Sequence, residues 1–135
     1  MISETRFGCD HVCFTTEINP GSGFKPLNKI ASGGELSRFL LAVKLCFLGD
    51  NNKKTQIFDE IDRGVGGATA SAIGKRLLEL SKHEQVLVVT HSPLVAAYSD
   101  NHLKVEKVNF DRSTITKVTT LNEENTVREI ARMLS

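Results

Sequence analysis

The middle of the chain contains two segments whose apolar residues recur at helical spacing. Residues 35–48 are apolar on several sides, and such a helix is normally buried against more than one neighbour. A second helix is predicted from Ala68 to Lys82. Four of its apolar residues fall on one face: Ala70, Ile73, Leu77 and Leu80.

Strand-like segments alternate with these helices. Thr55–Phe58 and Gln85–Thr90 precede and follow the second helix, and the latter is apolar without alternation, as expected for a strand covered on both faces. Asp10–Ile18 also has the β-branched and aromatic content of a strand. The order strand, helix, strand, helix predicts an α/β domain with a mainly parallel sheet and flanking helices.

The C-terminal third of the chain follows a different pattern. Two further strands are predicted near His102–Asn109 and Ser113–Thr120, forming a hairpin around Asp111-Arg112. A last helix is predicted over Glu124–Leu134. All 135 residues are therefore interpreted as one domain, a length sufficient for a single sizeable core.

Composition narrows the function classes. Seventeen Lys and Arg against sixteen Asp and Glu give a net charge of +1, so there is no general electrostatic attraction to nucleic acid. No apolar run reaches membrane-spanning length, and Met1–Glu4 lacks the features of a signal peptide. The odd number of cysteines, three, favours reduced thiols in the cytoplasm. Cys9, His11 and Cys13 could face zinc together from a strand, but no fourth ligand is near and a core role is the better interpretation.

The first motif with chemical potential is Ser32-Gly33-Gly34-Glu35. Ser32 followed three residues later by Glu35 fits a capping box, so a helix should begin here. The glycines leave the backbone open to close approach, and the N–H groups of a helix N-terminus attract anions. A well-capped helix without a ligand is the alternative, and the paired glycines favour the anion site.

The second motif is Asp59-Glu60, at the end of a predicted strand. Ligands bind at the carboxyl edge of an open α/β sheet, and successive strand residues point to opposite faces. One carboxylate can hold Mg²⁺ through water while its neighbour orients or deprotonates a nucleophilic water. A solvated acidic turn is the alternative. His91 directly follows the next predicted strand. A lone histidine in such a position more often caps a helix or packs against the core.

Taken together, the three motifs resemble those of ABC ATPases in both order and spacing. Residues 31–38 resemble the ABC signature, residues 58–62 the Walker B motif with its extension, and residues 89–93 the switch-histidine motif. Residues 64–70 resemble the interface segment of the RecN family of SMC-like ATPases, and the similarity extends over nearly the whole chain. The resemblance implies the C-terminal lobe of a P-loop NTPase head of the ABC type.

The resemblance also implies a role for each residue. Glu60 would polarise the attacking water, His91 would contact the γ-phosphate region, and Asp59 would coordinate Mg²⁺ through water. The signature residues would act in trans on ATP held by a second head: Ser32, Gly33, Gly34 and Glu35. The interface segment would contain Asp62, Gly64, Gly66 and Gly67. The resemblance implies that the complete protein is an ATP hydrolase of DNA double-strand break repair and recombination. Its heads would dimerise around ATP, and it would also bind DNA. It would act in the cytoplasm, in association with the nucleoid.

A phosphate-binding loop, G-x-x-x-x-G-K-[ST], is missing. The nearest candidate is Gly21–Pro26, where the glycines are misplaced and Pro26 is incompatible with a helix interior. The resemblance implies that an N-terminal head segment of the same protein supplies this loop, so the chain alone should be inactive. The resemblance also implies that the strand leading into this loop is missing. Its absence should leave an apolar sheet edge that is covered by Asp10–Ile18 or by self-association. A nucleotide-gated dimerisation module of another SMC-like protein is the alternative function.

Overall fold

The structure is a computed structural model that describes residues 8, 12–17, 19–29, 32–47, 54–110 and 113–135. Its central part contains α1 (Gly33–Cys46), β3 (Thr55–Asp59), α2 (Gly67–Ser81), β4 (Gln85–Val89) and the short α3 (Pro93–Ala96). The order of these elements is the predicted one, and the bounds of the two long helices and of β3 and β4 lie within two residues of the predicted bounds. Before α1 lie β1 (Thr15–Thr16), β2 (Lys25–Pro26) and a 3-10 turn at Leu27–Lys29.

The described strands form three two-stranded sheets. β3 and β4 pair in parallel, whereas β1 and β2 pair antiparallel. The third pair is an antiparallel hairpin of β5 (His102–Phe110) and β6 (Ser113–Leu121), followed by α4 (Glu123–Leu134). The predicted α/β class is confirmed, but the parallel arrangement is confined to β3 and β4. The residues predicted for the hairpin turn, Asp111 and Arg112, lie outside the described residues.

The hydrophobic core lies between α1, α2, α3 and one face of the parallel pair. Ile61 and Leu80 are fully buried at its centre. All four apolar residues predicted to line the inner face of α2 are buried, because their helical spacing holds them on the side that meets the sheet. The remaining core residues come from the neighbouring elements: Leu41, Phe58 and Val95, with Leu45, Val65, Val86 and Val88 partly buried against them.

The opposite face of the parallel pair is open. Ile57 is 70% exposed, and its neighbours Leu87 and Val89 on β4 are 44% and 61% exposed. The prediction that β4 is covered on both faces was therefore wrong for the described residues. On α1, too, Leu36 and Leu40 are exposed, so the prediction of burial on several sides was wrong. Both segments are apolar on more faces than the described part of the chain can cover.

The N-terminal strand is much shorter than predicted. Only Thr15–Thr16 of the predicted Asp10–Ile18 is a described strand, and Cys9 and His11 of the possible zinc cluster lie outside the described residues. β1 pairs with β2 and, among the described residues, does not cover the edge of the parallel pair. Turn chemistry at Asn19–Gly23 returns the chain immediately, so that the short antiparallel pair forms locally.

Candidate functional site

The predicted motifs meet at the carboxyl edge of the parallel pair. Asp59 at the end of β3 pairs with Val89 at the end of β4. Parallel strands in register end together, so Glu60 and Thr90 leave the sheet at the same edge. The N-terminal part of α1 lies against this edge. Its Ser37 contacts Asp59 at the end of β3, and its Gly34 lies close to Glu60.

Gly34 allows this close approach. A Cβ at Gly34 would lie 2.8 Å from the carbonyl oxygen of Glu60 and 3.3 Å from that of Arg63, too close for any side chain. A Cβ at Gly33 would lie 3.4 Å from Oε2 of Glu60, which is ordinary contact. The glycine at position 34 is therefore required by packing within the chain, whereas the sequence alone suggested ligand approach as the reason for both glycines.

The capping box was wrong as a hydrogen-bonding pattern. Ser32 is the N-cap residue of α1 with extended backbone angles, as predicted, but its side chain makes no capping hydrogen bond. The helix begins with the backbone bond from the N–H of Leu36 to the carbonyl of Ser32. Within the described part of the chain, the Ser32 hydroxyl and the Glu35 carboxylate are thus left uncommitted at the helix N-terminus.

Two side chains of α1 hold the segment after β3 by its backbone. Ser37 Oγ donates to the carbonyl of Asp59 at 3.1 Å. Arg38 Nη1 donates to the carbonyls of Ile61 and Arg63 at 3.1 and 3.2 Å. A charged donor shared between two carbonyls fixes this turn more firmly than a neutral one would. This role could not be predicted from the sequence, in which both residues were interpreted only as part of the signature motif.

Glu60 has an unusual backbone conformation for its residue type. Its φ of 57° lies in the left-handed region, and no other non-glycine among the described residues has a positive φ. Such a conformation costs a non-glycine residue free energy and is concentrated at functional sites. The carboxylate accepts a hydrogen bond from Arg63 Nη1 at 2.8 Å, and both side chains are largely exposed.

Asp62 connects the Glu60 turn to the segment that carries His91. Its side chain is fully buried, and Oδ2 accepts hydrogen bonds from Thr90 Oγ1 and from the N–H of Ser92, the latter at 3.0 Å. The Nδ1 atom of His91 lies 3.7 Å from the same oxygen. The other oxygen, Oδ1, is buried and has no hydrogen-bond partner among the described residues. The resemblance placed Asp62 in the Walker B extension and in an interface segment. The polar residues on each side of His91, Thr90 and Ser92, were the sign in the sequence from which this connection could have been suspected.

His91 and Asp59 present their side chains outward. The His91 side chain is 82% exposed, and Asp59 is exposed at the end of β3. The structure thus brings Gly33 and Gly34 to Glu60, and Asp62 to His91. Among the described residues, the Asp59 carboxylate makes no hydrogen bond or ion pair with either group, and no group of three or more His, Cys, Asp or Glu side chains is arranged to hold a metal ion.

The glycines of the predicted interface segment serve local geometry. Gly64 has a φ of 71°, which favours glycine, and Gly66 is the N-cap residue of α2. A Cβ at Gly67 would lie 3.2 Å from Cδ1 of Leu94, so this glycine lets α2 begin close to α3. Whether the segment also contacts a second head stays a prediction. Across the described residues, none of the helices combines the length and apolar character needed to cross a membrane.

Solved structures with a similar fold are SMC ATPase heads. One, from work on ATP-driven dimerisation and DNA-stimulated activation of SMC ATPases, aligns with a TM-score of 0.57 at 23% identity, over 85% of this chain and 68% of its own. The Smc head domain with coiled coil and joint from Pyrococcus yayanosii aligns with a TM-score of 0.59 at 22% identity, over 85% of this chain and 21% of its own. The fold is that of a partial ATPase head of the SMC class.

Sequence relatives define the type more narrowly. The chain is 47% identical over 134 residues to the DNA repair protein RecN of Rickettsia prowazekii and 48% identical over 128 residues to that of Streptomyces coelicolor. These alignments cover 99% and 95% of this chain but only 24% and 22% of the relatives. No family model matches. The chain is therefore a RecN-like segment that spans about a quarter of the length of the curated relatives.

Proposed function

We propose that this chain forms the C-terminal part of the ATP-hydrolysing head of a RecN-like protein that acts in DNA double-strand break repair and recombination. One observation supports this above all: α1 and Asp62 connect the signature, the acidic strand end and the histidine segment into one bonded unit. The 47% identity to a DNA repair protein RecN supports the particular type of head.

Within such a head, Asp59 and Glu60 have different tasks. Asp59 is exposed at the strand end, where a single carboxylate, water and phosphate oxygens suffice for Mg²⁺. When bound, the ion neutralises phosphate charge. Glu60 orients the attacking water and accepts its proton, while His91 contacts the γ-phosphate region from the same edge. The outward positions of all three side chains are compatible with these tasks.

The N-terminus of α1 serves the nucleotide of a second head. Ser32, Gly33 and Gly34 present backbone N–H groups and a hydroxyl that the described part of the chain does not use, with Glu35 one residue further on. Such a helix N-terminus binds anions. One of the similar heads undergoes ATP-driven dimerisation. We infer that two heads sandwich ATP, each offering its signature residues to the γ-phosphate of the other.

The remainder of the head comes from an N-terminal segment of the same protein, which provides the phosphate-binding loop. The open apolar face of Ile57, Leu87 and Val89 supports this, since a surface of this kind needs a cover in the complete head. We also propose that the complete protein binds DNA outside this segment and acts in the cytoplasm, in association with the nucleoid.

A nucleotide-gated dimerisation module with slow turnover is the second candidate. Exposed Leu36 beside the α1 N-terminus is compatible with an interface of that kind. Glu60 favours the enzyme, because a clamp does not need a water-activating carboxylate in a strained conformation.

Co-expression with the N-terminal head segment of a RecN relative tests the proposal. We expect the reconstituted head to hydrolyse ATP in the presence of Mg²⁺ and the isolated chain to bind Mg-ATP weakly without turnover. Micromolar affinity of the isolated chain in isothermal titration would contradict the dependence on the missing loop. Absence of turnover in a reconstituted head that dimerises with ATP would favour the dimerisation module.

The trans role is tested separately with Ser32→Arg. The long cation should block closure over the partner's nucleotide while binding at its own site persists. Sedimentation with ATP should show monomeric heads, with Ser113→Arg on the hairpin as the matched control. Normal ATP-dependent dimers of the Ser32 variant would exclude the trans role.

A further inference from the structure

We propose that Asp62 is a positioning residue for His91: it accepts a hydrogen bond from Nδ1–H, so that Nε2 points outward from the edge of the sheet. This rests on the proposed ATPase function for its consequence, but the contact itself can be tested without any turnover. The resemblance of the sequence placed Asp62 in the extension of the Walker B motif and in an interface segment, and it implied no role toward His91.

The Asp62 carboxylate is shielded from water. A carboxylate removed completely from water is costly unless its oxygens are hydrogen-bonded. The side chain of Asp62 is fully buried, and Oδ2 receives two hydrogen bonds while Oδ1 receives none. A core position that needed only packing would be occupied at lower cost by an apolar residue, as at the adjacent Ile61. The carboxylate is therefore retained for what it contacts.

The two groups that donate to Asp62 belong to the neighbours of His91. Thr90 and Ser92, the two residues that flank His91, both donate to Oδ2. In addition, the N–H of Ser92 lies 3.0 Å from Thr90 Oγ1, which closes the turn on itself. Since the residues on each side of His91 are fixed to one buried oxygen, the backbone of His91 is fixed with them.

The His91 ring lies close to the same carboxylate oxygen. Nδ1 of His91 lies 3.7 Å from Oδ2, slightly beyond hydrogen-bond distance, while the rest of the side chain is exposed. An approach of about 0.5 Å between these two atoms brings Nδ1–H within hydrogen-bond distance of the carboxylate. The hydrogen bond on one ring nitrogen determines which nitrogen carries the proton, so Asp62 selects the tautomer with the hydrogen on Nδ1. Nε2 is then the nitrogen presented to a phosphate.

Nitrogen-15 NMR of the imidazole rings in this chain tests the contact, with His91→Gln assigning the signal. We expect the Nδ1–H tautomer for His91 in the unmodified chain and a return to the ordinary Nε2–H tautomer in Asp62→Asn. The asparagine retains an oxygen for Thr90 and Ser92 but loses the charge. Glu129→Gln, which neutralises a buried carboxylate on α4, is the control and should leave His91 unchanged.

A His91 that carries its proton on Nε2 in the unmodified chain would overturn the proposal, and this measurement needs only the exposed His91→Gln substitution for assignment and none at the buried Asp62. The same tautomer in Asp62→Asn as in the unmodified chain would also overturn it. Should reconstituted heads not hydrolyse ATP, the proposed function fails while the NMR result still decides whether Asp62 positions His91.

Turnover in reconstituted heads gives the second measurement. We expect Asp62→Asn to lower kcat about tenfold with little change in KM, as is usual for residues that orient a functional histidine. In a His91→Gln background the same change should have no further effect, because its action passes through His91. An equal loss of kcat in both backgrounds would mean that Asp62 supports the fold in general, and would overturn the positioning role.

Discussion

Two regions of the molecule are held together by different kinds of contact. One is the turn after β3, and the other is the C-terminal unit formed by β5, β6 and α4. The turn is held by long-range bonds from α1 to its backbone and contains a left-handed glutamate and a buried carboxylate with one unpaired oxygen. The C-terminal unit obeys local rules: nine consecutive residue pairs form its hairpin, and the Asn122 side chain caps α4 through the N–H of Asn125.

The difference shows which part of the chain contains energetically unfavourable backbone conformations and unpaired polar groups. A sequence that specifies a stable fold satisfies propensity, capping and hydrogen bonding together, and departures concentrate at functional or strained sites. The left-handed backbone of Glu60 and the unpaired oxygen of Asp62 both lie in the turn for which the chemistry is proposed. In the C-terminal unit even a buried acid is paired, because Glu129 contacts both Lys104 and Arg132.

The largest expected effect comes from removing an acid in the turn. In the reconstituted head, Glu60→Gln should lower kcat by about 100-fold or more while ATP binding and dimerisation persist, since the amide cannot accept the proton of water. Glu124→Gln on α4, which also breaks an exposed ion pair with arginine, is the control and should leave kcat unchanged. Turnover at the unmodified rate in the Glu60 variant would mean that the turn is not catalytic.

Next is the close contact between α1 and the turn. Gly34→Ala should lower the free energy of unfolding by about 1–3 kcal/mol, because the methyl group would overlap the Glu60 carbonyl. Gly33→Ala is the matched control, with space for its methyl group, and should be close to neutral. Urea denaturation of both variants measures the difference. Equal stabilities would mean that the turn can move away from α1 without cost.

A smaller effect, dependent on pH, is expected in the C-terminal unit. Hydrogen bonds from Arg132, opposed by burial and assisted by Lys104, lower the pKa of Glu129 from 4.5 to about 2. Its ionised form therefore stabilises the fold fully above the unfolded pKa, and this stabilisation is lost as the pH falls toward 2. Glu129→Gln should cost about 1 kcal/mol at pH 7, since Arg132 is mostly exposed.

Thermal unfolding of both proteins between pH 7 and pH 2.5 measures this dependence. The difference in stability should remain constant down to about pH 4.5 and shrink below it, where the unmodified chain alone loses the ionised carboxylate. A difference that stays constant throughout this range would mean that Glu129 is not held ionised by its partners.

The smallest effect concerns helix caps. Asn122→Ala should cost roughly 0.5–1 kcal/mol, because its side chain accepts a bond from the backbone of α4. Ser92→Ala should cost much less, because the Ser92 side chain makes no capping bond at α3. Helix content by circular dichroism and denaturation of the two variants give the comparison. A larger loss for Ser92→Ala would mean that its hydroxyl has a role that the structure does not show.

The sequence predicted the elements whose causes are local. The inner face of α2 followed from helical spacing, and β3 and β4 followed from their apolar β-branched residues. The covering of β4 on both faces was mispredicted, because apolar character cannot indicate whether the covering segment belongs to this chain. The residue pairs of the site were only partly predictable: the motifs placed Glu60 and His91 at one edge, but the contact of Asp62 with both neighbours of His91 depends on residues 28 and 30 positions apart.

The left-handed backbone of Glu60 has a consequence for protein engineering. Glycine adopts this conformation without steric cost, so a search for thermostable variants by screening alone should select Glu60→Gly. That substitution would remove the only side chain at the turn proposed to accept a proton. Selection for thermal stability and selection for catalysis therefore favour different residues at this position. A library of variants intended to improve both should keep residue 60 unchanged.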